Sequence, residues 1–164
     1  MTDISDLYQS LILDHNRSPR NHGPPAPPAP GEPARDHRVA DGRNPMCGDQ
    51  LRVWLTLSDD RVSEVRFAGK GCAISQASAS LMTVAVKGKT CDEADQIFER
   101  FHDLVTGKAV DDASRAALGK LVAFGGVSRF PARVKCASLG WHAMRAALRG
   151  PSAPLAGPSA VSTE

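Results

Sequence analysis

Cys47, Cys72 and Cys136 each stand at a turn or an element boundary, and long stretches of chain separate them. No CxxC pair occurs among the four cysteines, so zinc-ribbon and thioredoxin-type arrangements are weak readings. If these thiols act together, the tertiary fold must assemble their site, and a metal held there would also stabilise that fold. Cys47 lies in Asn44-Pro45-Met46-Cys47-Gly48-Asp49, where a turn between proline and glycine can expose the sulfur. Cys72 follows Gly69-Lys70-Gly71 and precedes a helical pattern, and Cys136 follows Arg133-Val134-Lys135 and is expected to open the last helix. A helix N-terminus favours thiolate over thiol, and Arg133 and Lys135 add positive charge beside Cys136. Asp49, two residues after Cys47, would complete a Cys3Asp set suited to four-coordinate zinc. Capping a turn is an equally good account of that aspartate. Cys91, in the first turn of an expected helix, reads as a small buried hydrophobe.

The 164 residues suit one domain with a real core. A formal charge of +2 gives no pointer to nucleic acid. No apolar run approaches the roughly 20 residues that span a bilayer. The N-terminus, with Asp3 and Asp6, lacks a signal-peptide pattern, so a cytoplasmic location is expected. In a reducing compartment, metal or thiol chemistry is a better use of the cysteines than disulfides.

Apolar periodicity predicts a first helix from Ser5 to about Asn16, stopped by Pro19. Residues 19–34 hold seven prolines and read as an irregular stretch. Three strands follow at 37–40, 50–57 and 61–67, joined as an antiparallel meander through the turn at Ser58-Asp59-Asp60. Trp54 falls on the polar face of the second strand, so a helix is expected to cover that face. A helix rich in small residues runs over 74–86. Thr90 and Glu93 form a capping box for the next, which buries Ala94, Ile97, Phe98, Phe101, Leu104 and Val105. Asp111-Asp112 caps a short helix reaching Val122, broken at Gly125-Gly126, and the last helix runs from Cys136 to Leu148. The expected fold class is therefore α+β, a small three-stranded antiparallel sheet packed on a layer of about five helices. A single domain covers residues 1–149, and 150–164, rich in Gly, Pro, Ser and Ala, read as a disordered tail.

Three motifs carry a family resemblance: Asn44-Pro45-Met46-Cys47-Gly48-Asp49, Gly71-Cys72-Ala73-Ile74-Ser75-Gln76-Ala77-Ser78-Ala79-Ser80, and Lys135-Cys136-Ala137-Ser138-Leu139-Gly140-Trp141. With Tyr8-Gln9-Ser10-Leu11-Ile12-Leu13-Asp14-His15 and Asn16-Arg17-Ser18-Pro19-Arg20-Asn21, they resemble the NifU/IscU-type proteins of iron–sulfur cluster assembly over residues 5–149. Lys135 stands where the IscU branch has histidine, and the stretch between Cys72 and Cys136 is longer, with its surplus around residues 100–125. Both features resemble the SufU branch.

That resemblance implies zinc held by Cys47, Asp49, Cys72 and Cys136. It implies a sulfurtransferase role, relaying persulfide sulfur from a SufS-type cysteine desulfurase to a downstream SUF scaffold or apo-acceptor protein. Cys47 would be the acceptor, freed when a ligand from the desulfurase replaces it on the metal. Cys136 is its rival, and Arg133 a possible assisting charge. Two alternatives stand beside this reading. One is a scaffold on which Cys47, Cys72 and Cys136 hold iron or a transient iron–sulfur cluster. The other is a structural zinc module without sulfur transfer. A hydrolase is not indicated, because no Ser/His/Asp arrangement is visible. His22, His37, His102 and His142 read as solvated or packed side chains.

Overall fold

Alternation of apolar and polar residues gives the sheet one greasy face, and that face gathers the helices. The computed structural model describes residues 4–27, 29–32, 35–45, 48–150 and 159–162. Strands β1 (Asp36–Asn44), β2 (Asp49–Ser58) and β3 (Arg61–Lys70) form the antiparallel meander expected from the sequence. Asp59 and Asp60 make the β2–β3 turn with φ of 51° and 62°, the left-handed pair that matches strand twist in a tight hairpin. β4 (Ser159–Ser162) adds a fourth strand, parallel to the free edge of β1. The sequence reading placed it in an unstructured tail. Its Ser-Ala-Val-Ser run meets an open row of β1 backbone groups, which composition averaged over the tail conceals. Residues 151–158 and 163–164 of that tail lie outside the described residues.

Helix α1 (Ile4–Arg17) precedes the sheet, and α2 (Ala73–Val86), α3 (Cys91–Thr106), α4 (Asp112–Leu118) and α5 (Pro131–Arg149) follow it. Residues Gly119–Arg129 form a 3-10 segment between α4 and α5. It runs through Gly125-Gly126, where a break was expected. The α3 capping box is present on both sides. Among the described residues, no helix is long and apolar enough to cross a membrane.

Helices α2 and α5 pack on the sheet face that carries Ala40, Leu51, Val53, Leu55 and Phe67. Small residues allow the close approach. A side chain at Gly140 of α5 would come within 3.1 Å of the Ala79 Cβ, and one at Gly42 of β1 within 3.0 Å of Leu139. Ser78 Oγ accepts the Trp141 indole N–H at 3.1 Å and donates to the Ala137 carbonyl. Trp141 in turn stacks on Phe101 of α3 at 4.5 Å. Trp54 is buried on the opposite face, outside this core. The helix contacts of the sheet come from the other side, so the expected covering helix is not what shields it. The chain leading out of α1 instead runs along β3: Phe67 N–H donates to the Asn21 carbonyl, and Arg66 donates to the carbonyls of His22 and Gly23.

The segment after α1 is pinned to α2 through buried polar groups. Ser80 Oγ accepts the Arg20 backbone N–H at 2.8 Å and bonds His15 Nδ1 at 2.7 Å. Asn21 Nδ2 donates to Thr83 Oγ1 at 3.0 Å. Burial first, then Arg20, pushes the His15 pKa down; Asp14 pulls it up by less, and Lys120 adds a smaller push downward.

Two outcomes follow from these contacts. Ser78→Ala leaves a buried indole N–H unpaired and should cost about 1–3 kcal/mol in denaturant melts; an unchanged midpoint would mean that the indole finds another partner. His15 is held below its unfolded pKa, so its contribution to stability is complete above the unfolded value of about 6.5 and lost as pH falls through the folded value. Stability should therefore fall more steeply on acidification in wild type than in His15→Gln. Equal slopes in urea titrations would show that His15 takes up its proton in the folded state.

Candidate metal centre

The β1–β2 hairpin, the start of α2 and the second turn of α5 meet at one end of the sheet. Asn44 and Asp49 are paired across the base of the hairpin, and Gly48 N–H donates to the Asn44 carbonyl at 2.8 Å. Gly48 has φ of 76°, a conformation that glycine adopts without the Cβ penalty. Asp49 is the first residue of β2 and is 6% exposed. Cys72 is the N-cap of α2, as its position after Gly71 suggested. Its carbonyl accepts Gln76 N–H at 3.1 Å and Ser75 Oγ at 3.0 Å, which fixes the first turn.

Cys136 differs from expectation. It does not open the last helix, which begins at Pro131 after Phe130. Proline at N1 has no N–H to lose and a preset φ, so the Phe130-Pro131 step sets the start. Cys136 therefore lies inside the helix, beyond the free N–H groups of its first turn. It is 8% exposed, held against the sheet by the close approach of α5.

Asp49, Cys72 and Cys136 each offer a ligand atom within 4.8 Å of the others. Tetrahedral zinc, with Zn–S of about 2.3 Å, sets sulfurs about 3.8 Å apart, so this spacing fits after a small contraction. The carboxylate carries the clearest sign of a missing partner. Oδ1 accepts the Cys72 backbone N–H at 3.3 Å, whereas Oδ2 is buried with no hydrogen-bond partner. A buried carboxylate oxygen left unpaired is costly, and a divalent cation held by this carboxylate and the two sulfurs would offset the cost. Asn44 Nδ2 points at Cys136 Sγ from 3.9 Å, and Cys72 Sγ and Ser75 Oγ are 3.7 Å apart. Gly71 keeps the cradle open. A Cβ there would lie 2.2 Å from Ser75 Oγ and 3.4 Å from Asp49 Cγ. The donor set, two sulfurs with one hard oxygen, suits zinc.

Cys47 lies outside the described residues. Arg133 is exposed in the first turn of α5, its guanidinium 4.7 Å above the Phe130 ring. Cys91 is half-buried at the start of α3, its pKa raised by burial and by the hydrogen bond to Asp60. It stands apart from the cluster, as the sequence suggested. In the sequence Tyr8 stands within the first predicted helix and opens a motif of the family resemblance, with no role assigned to it. Its ring does pack edge-on against Phe124 at 5.6 Å, but its hydroxyl is buried without a partner. Burial raises the Tyr8 pKa, Arg133 opposes the shift and Cys72 adds to it, so the phenol stands beside the centre. No period or motif marks a hydroxyl as unpaired.

Residues 7–137 match the NifU-like N-terminal domain family. The chain belongs to that family. It is 42% identical over 142 residues to the zinc-dependent sulfurtransferase SufU of Bacillus subtilis, a match covering 87% of this chain and 89% of that protein. It is 33% identical over 149 residues to the iron–sulfur cluster assembly scaffold protein IscU of Streptococcus pyogenes, covering 91% of this chain and 87% of the relative. Among solved structures, the iron–sulfur cluster assembly scaffold protein for the SUF system (FiSufU) from Fervidobacterium islandicum superposes with a TM-score of 0.74 at 32% identity, over 87% of this chain and 97% of that one. The N-terminal NifU-like protein of Brucella abortus gives 0.73 at 25% identity, over 89% and 94% of the two chains. The α+β fold with its three-stranded antiparallel meander and five helices is that of these neighbours.

The orphan oxygen yields a paired expectation. Asp49→Asn should lower divalent-metal retention at least tenfold in competition with a chelator. The same change should leave the metal-free protein as stable as wild type or more so, because it removes an unpaired buried charge. Equal metal retention in wild type and Asp49→Asn would take Asp49 out of the ligand set.

Proposed function

We propose that this chain is a zinc-binding sulfurtransferase of iron–sulfur cluster assembly, accepting persulfide sulfur from a SufS-type cysteine desulfurase and passing it to a downstream scaffold or apo-acceptor protein. The observation that carries the reading is the convergence of the Cys72 and Cys136 sulfurs with the Asp49 carboxylate, one oxygen of which is buried without a partner. The likeness to a relative named as a zinc-dependent sulfurtransferase supports it.

Asp49, Cys72 and Cys136 hold the ion in this reading, with Cys47 as fourth ligand. Zinc, when bound, keeps coordinated thiols deprotonated and supplies no redox chemistry. Cys136 is buried within a rigid helix and Asp49 is fixed at a strand start. Both are suited to holding rather than travelling. Cys47, which the sequence sets between Pro45 and Gly48, is the better acceptor.

In the transfer, the Cys47 thiolate attacks the outer sulfur of the donor's persulfide. A sulfur–sulfur bond forms on Cys47 as the donor's own sulfur–sulfur bond breaks, and the donor cysteine leaves with the electron pair as thiolate. No external oxidant or reductant is consumed. Arg133, exposed near the centre, can attract the anionic persulfide.

A scaffold role is the second reading, favoured by the IscU relatives. The same thiolates would then carry a cluster, since thiolates ligate zinc and iron–sulfur centres alike. Lys135 weighs against it: a protonated amine has no lone pair to give a metal. Cys47→Ala separates the readings. It should reduce desulfurase turnover to the rate of the desulfurase alone, with no sulfur retained on the chain. Full stimulation by Cys47→Ala would end the relay reading. Visible absorption after anaerobic reconstitution, with transfer of a cluster to an apo-acceptor, would establish the scaffold in its place.

A further inference from the structure

The 3-10 segment and its flanks carry a concentration of charge that the whole chain does not show. Two clefts lie along it. One, of about 450 Å³, is bordered by Lys108, Arg115 and Lys120. The other, of about 780 Å³, is bordered by Arg129, Phe130 and Arg133. They meet at Ala123, Gly125 and Ser128, so the two form one continuous face. Its lining has five cations and no carboxylate, although the chain as a whole has a formal charge of only +2. All five cations are exposed. Lys108 meets Asp103 at 3.7 Å across open solvent, a pair too exposed to neutralise it firmly. Between the cations the clefts are apolar, lined by Leu104, Val110 and Val122 on the far side. Phe130 is 50% exposed on the near side, clamped under Arg133.

This face ends at the candidate centre. Arg133 is one helical turn before Cys136. Tyr8, which borders the nearer cleft, has its hydroxyl within the electrostatic reach of both Arg133 and Cys72. A partner seated along the face would bring its reactive segment to the sulfurs.

We propose that the face formed by Lys108, Arg115, Lys120, Arg129, Phe130 and Arg133 is the docking surface for the sulfur donor, and that it takes an acidic protein surface with an apolar recess for Phe130. The inference rests on the sulfur-acceptor reading and names where and how its donor binds. A half-exposed aromatic flanked by arginines has the composition of an interface anchor. The cations around it would steer association and set partner choice. A protein suits the face better than a nucleic acid, because a net charge of +2 exerts little long-range pull on a polyanion, whereas a local basic patch with apolar clefts matches a protein of opposite local charge.

The test uses the full zinc-loaded chain and a SufS-type desulfurase from the same organism, with Kd read by calorimetry and turnover measured in parallel. Lys108, Arg115 and Lys120 lie away from the metal ligands, so the triple change to Glu should leave zinc content and maximal stimulated turnover unchanged. It should raise Kd at least tenfold at about 0.1 M salt, where exposed charges still interact over about 10 Å. Wild-type Kd should rise with salt, and the variant's should respond less. The milder Arg115→Gln/Lys120→Gln protein guards against a folding defect and should shift Kd the same way by a smaller factor. Equal Kd values for wild type and both variants, or a loss confined to maximal turnover, would overturn the inference. So would a single-stranded oligonucleotide that binds the face more tightly than the desulfurase does. Wild-type binding without any sulfur uptake would instead count against the sulfur-acceptor reading alone, and a wild-type chain that does not bind the desulfurase would overturn both.

Discussion

Asp49 Oδ2 lies buried at the start of β2 with no hydrogen bond, on a carboxylate that offers an oxygen to the Cys72 and Cys136 sulfurs. The surrounding structure is arranged to keep it there. The hairpin fixes where β2 begins, through the Asn44–Asp49 pair and the left-handed Gly48. The Cys72 N–H holds the other carboxylate oxygen, which sets the direction in which Oδ2 points. Gly71 leaves the space that any side chain would fill. A charge in such a place is tolerated only when a counter-charge is at hand, and sulfur ligands make a soft or borderline divalent metal the natural one.

The distant part of the fold serves the same end. Cys136 reaches the centre because α5 runs very close to β1 and α2, at Gly42 and Gly140. The core behind those contacts, with Trp141 stacked on Phe101 and bonded to Ser78, makes α5 a stiff support. Its ligand is thereby placed by packing. The 3-10 segment packs Phe124 against Phe101 and presents Lys120 and Arg129 on its exposed side.

Much of this was legible in the sequence because local chemistry and tertiary role agreed. Thr90 and Glu93 cap α3 as a box wherever the helix packs. Period-two alternation in Leu51, Val53, Leu55 and Leu57 names the inner face of β2. Cys72 after Gly71 is an N-cap on sequence grounds and in the fold. The failures have physical causes too. Cys136 was expected to open the last helix, while the real boundary is the Phe130-Pro131 step. The first strand extends to Asn44 through Gly42 and Arg43, residues with little strand preference that are held by pairing with β2. Ser159–Ser162 pairs because β1 offers an open edge, which no property of the tail itself announces. The unpaired hydroxyl of Tyr8 and the unpaired oxygen of Asp49 are facts of three-dimensional environment, and a single sequence contains neither.

X-ray absorption at the zinc edge, on the chain as purified with its metal, reads the central claim most directly. The account predicts a shell of three sulfurs at about 2.3 Å and one oxygen at about 2.0 Å, reporting Cys47, Cys72, Cys136 and Asp49 around one ion. A shell of nitrogen and oxygen alone, or of four sulfurs, would contradict it.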